Sequence, residues 1–191
     1  YLHSMDRPLI HNEITNLNVM IDLSGKVAIP RIIDFGYARY LDQTNKDFMK
    51  RGLSPYYLAD ESYNGVFSIQ TDIFSAGVLY FHLLQGLPPW VAQTTNSKAT
   101  DDELEELISF ERQKALRFVN TDMALDDLTL RIINKALSTN AKDRFSTSQE
   151  FIKGIHGELE IELVSNPTTP TLKPKKTKAG EGFKAIAGMQ E

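Results

Sequence analysis

The chain contains no cysteine. Disulfides, thiolate nucleophiles and cysteine-ligated zinc are therefore excluded, and a reducing, cytoplasmic setting is the expectation. Long hydrophobic runs are missing too. The richest apolar stretch, IFSAGVLYFHLL at 73–84, falls short of the roughly 18 residues that span a bilayer and carries His82. It reads as a buried helix, and no membrane span is expected. The opening YLHSMDRP has no basic segment followed by an apolar one, so no secretory leader is expected. An excess of positive charge is also absent, the formal net charge being -4. Residues 166–191 hold five Lys against two Glu, which leaves the acidic excess in the body and argues against a nucleic-acid partner. A phosphate ligand stays open, because metal ions and backbone amides neutralise phosphate locally.

What is present fits an ordinary globular chain. With 191 residues, 41% hydrophobic and 24% charged, there is enough apolar surface for one core plus a tail. Short β elements are expected at LI (9–10), NVMID (18–22) and VAIPRIIDF (27–35), the last two joined by a turn at Ser24-Gly25. Residues 34–68 show little periodicity, with Gly36, Gly52, Pro55 and Gly65 as punctuation, and predict a long irregular segment. Helical patterns follow. SIQTDIFSAGVLYFHLLQG is apolar nearly all round and predicts a central buried helix ending at Gly86. Thr100 and Glu103 predict a capping box opening a helix over 100–119, and Leu125, Leu128, Ile132, Ile133 and Leu137 share one helical face. A last helix is expected to open on a Ser146–Gln149 pair. Residues 161–191, rich in Pro, Thr and Lys, predict a flexible tail after a body of 1–160, with Thr169-Pro170 as a candidate phosphorylation site. The fold class expected is mainly α with a small β patch.

One cluster resists a bland reading. Between the apolar pairs Leu9-Ile10 and Val19-Met20 lie His11, Asn12, Glu13, Thr15, Asn16 and Asn18, and IIDFGYAR follows at 32–39. His11 to Asn18 resembles the protein-kinase catalytic loop H-R-D-L-x-x-x-N, and Asp34-Phe35-Gly36 resembles the D-F-G motif. SPYYLADE at 54–61 is similar to the segment ending in A-P-E. TDIFSAGVLYFHLLQGLPPW resembles the large lobe's central helix, and LSTNAKDRF at 137–145 the stretch with that family's buried Arg. Five motifs in family order implicate residues 1 to about 160 as a protein-kinase-like large (C-terminal) lobe without the N-terminal lobe.

The resemblance implies residue roles. Asp34 and Asn18 would offer oxygens to Mg²⁺ bridging the phosphates of ATP, and Met20 would lie beneath the adenine, against the plainer reading of Val19–Ile21 as a core strand. Glu13 would occupy the catalytic base position. Asp72 would accept backbone hydrogen bonds from the loop, Glu61 would pair with Arg144, and His11 and Phe35 would stack above Asp72, with Gly36 completing the motif. Ser54, where Ser/Thr kinases have Thr, would contact the loop and favours Ser/Thr specificity.

Several positions depart from the pattern. Glu13 replaces Asp, and a misplacement of about 1 Å can cost roughly 100-fold in rate. Thr15 replaces the loop Lys, Asn12 the Arg and Asp60 the Pro of A-P-E. The 191 residues contain no Gly-rich loop, strand Lys or helix Glu of that family's small lobe. The resemblance therefore implies ATP and Mg²⁺ binding that is weak in this lobe by itself, a protein substrate or protein partner, and a separate chain or segment supplying the small lobe. A pseudokinase that serves as a scaffold is the alternative.

Overall fold

The structure, a computed structural model, describes residues 1–43, 53–91, 99–114, 116, 118 and 125–162. The expected tail from 163 onward, Gly52 and Thr169 lie outside the described residues.

The N-terminal third forms two antiparallel ladders. Strand β1 (Leu9–Ile10) pairs with β4 (Arg39–Tyr40), and β2 (Val19–Asp22) pairs with β3 (Ile29–Ile32), Val19 opposite Ile32. The β2–β3 turn is fixed by Asp22, whose Oδ1 accepts the Ser24 N–H at 3.0 Å and the Ser24 hydroxyl at 2.6 Å. Pro30 is tolerated because both strands of a two-stranded ladder are edges. Within 34–68, expected to be irregular, stand β4 and a 3₁₀ turn at Asp60–Asn64. A two-residue strand is too short to carry a period, which is why the pattern did not announce it.

Among the described residues, four helices follow. At the start of α1 (Ile69–Gln85) the Ser68 N–H donates to Thr71 Oγ1 at 3.0 Å, and Gly86 ends the helix in the left-handed region at φ 83°. Thr100 and Glu103 form the expected capping box of α2 (Asp101–Arg112), which stops well before residue 119. Asp126 caps α3 (Asp127–Ala136). The cap of α4 (Ser148–Ile155) is one residue later than expected: Thr147 accepts from Glu150 N at 3.1 Å, and Glu150 Oε2 accepts from Ser146 N at 2.8 Å. The carboxylate wins over Gln149 because a negative group suits the positive end of the helix.

Helix α1 runs through the middle. On one side Phe74, Val78 and Phe81 pack with Trp90, Ile133 and Leu137; on the other Ile73 meets Ile132, Phe145, Phe151 and Ile161. Ile161 is thus a core residue. Gly77 lets α1 and α3 approach closely, since a Cβ there would lie 2.7 Å from Ala136 Cβ. The β2–β3 ladder is the opposite case. Met20 is 58% exposed and Ile21 54%, with Leu17, Leu23 and Val27 more exposed still. The core-strand reading of Val19–Ile21 is therefore corrected: Met20 and Ile21 are more than half exposed and every residue of β3 is exposed, so among the described residues this ladder stands outside the core.

Candidate active site

The site is organised from below by Asp72, in the first turn of α1. Its side chain is 1% exposed, and such a carboxylate must be matched by donors. Oδ2 accepts the His11 N–H at 2.8 Å and Oδ1 accepts the Asn12 N–H at 2.9 Å. His3 Nε2 donates to Oδ2 at 2.8 Å, the proton lying on that nitrogen because a carboxylate can only accept. Residues 61 and 60 positions apart in sequence are so fixed to one side chain.

His11 is fully buried and connects three segments. Its Nε2 donates to Ile33 O at 3.1 Å, its Nδ1 accepts from Glu13 N at 3.3 Å, and Phe35 meets its ring edge-on, centroids 4.9 Å apart. The expected stack of His11 and Phe35 is present, though Phe35 stays 47% exposed.

Above this base the loop and the D-F-G segment come together. Asn18 Nδ2 donates to Glu13 O at 2.9 Å, and Ile33 N donates to Asn18 O at 2.9 Å. Asp34 Oδ1 accepts Gly36 N at 3.1 Å, and a Cβ at Gly36 would sit 3.1 Å from that oxygen, so the turn favours glycine. Burial pushes the Glu13 carboxyl above its ordinary value; the Asp34 charge adds to the rise and the Asn18 side chain opposes it. Glu13, Asn18 and Asp34 therefore share one electrostatic neighbourhood. Among the described residues, the non-glycine positions with positive φ are Asn12 at 66° and Asp34 at 62°. Asn and Asp tolerate that region best, and such strain collects at functional sites.

The departures from the pattern have structural uses. Asn12 is buried, and its Nδ2 donates to Tyr37 O at 2.8 Å, joining the loop to the segment after Gly36. Thr15 is buried too, its hydroxyl accepting from Leu17 N at 3.3 Å, so it is turned into the loop. Met20 lies on the exposed β2–β3 face. Arg144 uses all five donors: Nε to Ser138 O, one terminal nitrogen to Glu61 Oε1 at 2.5 Å and Gln70 O, the other to Glu61 Oε2 at 2.9 Å and Thr139 O. This pair fixes the end of the 53–61 segment onto the helical body. Tyr57, not anticipated, ties the same segment to the loop: its hydroxyl donates to Asn16 Oδ1 at 3.0 Å and lies 2.6 Å from His82 Nδ1. His3, Tyr57 and Arg112 carried no signal in the sequence, because their partners lie 25 to 69 positions away.

A polar loop hung from a buried helix aspartate beside a small β patch defines a protein-kinase-like fold. The chain belongs to the protein kinase family: residues 1–153 match the description "Protein kinase domain". It is 25% identical over 150 residues to calcium-dependent protein kinase 3 of Plasmodium yoelii yoelii, covering 78% of this chain and 26% of that protein. With serine/threonine-protein kinase pakC of Dictyostelium discoideum it shares 33% identity over 92 residues, 48% of this chain and 18% of that one. The chain thus spans about a quarter or less of these relatives. Among solved structures, the Rad53 kinase domain with SCD2 superposes with a TM-score of 0.56 at 23% identity, over 81% of this chain and 49% of that one. A second Rad53 structure, in complex with AMPPNP, gives 0.55 at 22% identity. These likenesses establish the fold. No helix among the described residues is long and apolar enough to cross a membrane.

Proposed function

We propose that this chain is the C-terminal lobe of a Ser/Thr protein kinase, which in the complete parent protein takes part in ATP- and Mg²⁺-dependent phosphoryl transfer to protein hydroxyls. The observation carrying this reading is the Asp72-anchored loop that sets Glu13 and Asn18 beside Asp34. The donor set suits Mg²⁺. Asn18 commits its Nδ2 to Glu13 O, which leaves Oδ1 as its acceptor, and Asp34 adds a hard carboxylate. Mg²⁺ is commonly held by one or two such groups with phosphates and water completing the shell. When bound, Mg-ATP supplies the phosphoryl group and the charge that steadies it. Glu13 would accept the proton of the substrate hydroxyl, a task its raised pKa favours over an ordinary glutamate. Met20 would face the adenine. The Rad53 domain, similar in fold, was solved with AMPPNP, which supports a nucleotide as ligand.

The exposed apolar face of β2 and β3 supports a separate segment or chain supplying the small lobe over it. Alone, the lobe would be inactive. A cytoplasmic setting accords with the cysteine-free sequence.

A second reading, a pseudokinase scaffold, is favoured by Thr15. Its hydroxyl is turned inward and it brings no positive charge where charge must be stabilised. Thermal shift of the complete parent protein with ATP and Mg²⁺ separates nucleotide binder from pure scaffold. A rise that is lost in Asp34→Ala is expected, and no rise in the parent would remove the nucleotide reading. Phosphate transfer then separates enzyme from pseudokinase. Transfer that persists unchanged in Glu13→Ala would show that Glu13 is not the base.

A further inference from the structure

Asp60 stands where the family has the Pro of A-P-E, and the structure gives it a partner from a distant helix. Arg112, in the last turn of α2, ion-pairs with Asp60 Oδ1. An arginine at a helix C-terminus ordinarily extends into water and offsets the helix dipole. This one does not. Its side chain is 7% exposed, and its Nε is buried without a partner. Leaving that donor unmatched is costly, so the rest of the guanidinium must be held well. Its other terminal nitrogen donates to Leu58 O at 2.5 Å and reaches Pro55 O at 3.4 Å. The guanidinium lies 5.0 Å from the Phe74 ring centroid and 5.4 Å from that of Trp90.

Phe74 also lies under Arg144, 4.9 Å away. Two adjacent carboxylates, Asp60 and Glu61, are thus held by two arginines packed against one buried ring. The backbone explains why position 60 can take either residue. Asp60 is the first residue of the 3₁₀ turn, where a proline fits because its N–H would have no intrahelical partner. Ala59, at φ -70° and ψ 153°, already has the extended form that a residue before proline prefers. A ring at position 60 would fix this corner covalently; here the constraint comes from α2.

We propose that Arg112 is a positioning residue: it clamps residues 55–60 through Asp60, Leu58 O and Pro55 O, and takes the place of a proline ring at position 60. The clamp makes α2 the element that sets the segment. Because Tyr57 of that segment bonds Asn16, the clamp extends to the loop that carries Glu13 and Asn18. Its meaning for substrate placement rests on the kinase reading; the clamp itself does not.

The test is amide hydrogen exchange in the full-length protein, which needs no nucleotide, so its outcome is independent of whether ATP binds. Arg112→Met keeps the apolar stem and removes the guanidinium. It is expected to speed exchange of the Tyr57 and Ser62 amides, now donated to Ser54 O and Ala59 O, at least 10-fold, with Ile132 and Ile133 of α3 unchanged. Adding Asp60→Pro is expected to restore slow exchange at Tyr57 and Ser62. A merely structural Arg112 would raise exchange everywhere and gain nothing from the proline. Unchanged exchange at Tyr57 and Ser62, uniform loosening, or a double variant no slower than Arg112→Met would each overturn the proposal. Should Arg112→Met fail to fold, recovery of a folded chain by Asp60→Pro supports the clamp, and failure to recover overturns it.

Discussion

Replacing Asp72 by Asn tests the anchor on which the whole site depends. The substitution changes almost no volume, so packing around α1 is retained and only hydrogen bonding is altered. Asp72 offers acceptors on both oxygens, Oδ1 to the Asn12 N–H and Oδ2 to the His11 N–H and His3. An asparagine must set its NH₂ against one of the two backbone donors, whichever way it is turned. One buried backbone N–H is then orphaned at about 1–3 kcal/mol, and the remaining bonds lose the charge that made them strong. A loss of about 2–4 kcal/mol is expected. Trp90, the one tryptophan in the sequence, is buried and stacked on Phe74 with centroids 6.2 Å apart, so its fluorescence reports unfolding of the helical body. With a urea m-value of about 2 kcal/mol per molar, the midpoint should fall by about 1–2 M. The His11 and Asn12 amides should exchange faster by more than the global loss accounts for, since their acceptors are what was changed. A midpoint within about 0.2 M of the parent, with those two amides unmoved, would refute the anchor.

The remaining expectations concern packing and charge. Gly77→Ala should destabilise by about 1–3 kcal/mol, because the new methyl meets Ala136 Cβ at 2.7 Å and Leu137 Cδ2 at 3.3 Å; an unchanged unfolding midpoint would contradict the tight α1–α3 contact. Glu13→Gln should be more stable than the parent at pH 7. The folded state holds the Glu13 proton more tightly than the unfolded chain does, so the ionised carboxylate costs stability once the pH exceeds its raised value. That cost fades as the pH falls from the raised value towards the ordinary 4.5, and below 4.5, where both states hold the proton, the gap between the two proteins should be closed. A gap of constant size from pH 4 to 7, or one of opposite sign, would show that burial and the Asp34 charge do not raise the Glu13 carboxyl.

Much of the architecture could be read along the chain. Helix α1 was legible because the apolar stretch at 73–84 is closed by a glycine at 86, and the Thr100–Glu103 box because capping is a contact between residues three apart. The family was legible because its motifs are short words in a fixed order. Smaller things were misread for local reasons: Ser146–Gln149 and Thr147–Glu150 are overlapping capping patterns, and only the helix field prefers the carboxylate. Val19–Ile21 looked like core because apolar strands usually are, yet burial depends on what lies opposite.

The amino-acid order by itself determined the helices, the polar loop and the family likeness, since each depends on residues within a turn or a motif of one another. Folding in three dimensions decided the rest: that Asp72 serves His11 and Asn12, that Thr15 faces inward, that Tyr57 bonds Asn16, and that Arg112 holds Asp60 in the absence of a proline. The physical reason is range. Propensity and capping act over a few residues, whereas a buried charge is satisfied by whatever donors the packed core brings to it, however distant along the chain.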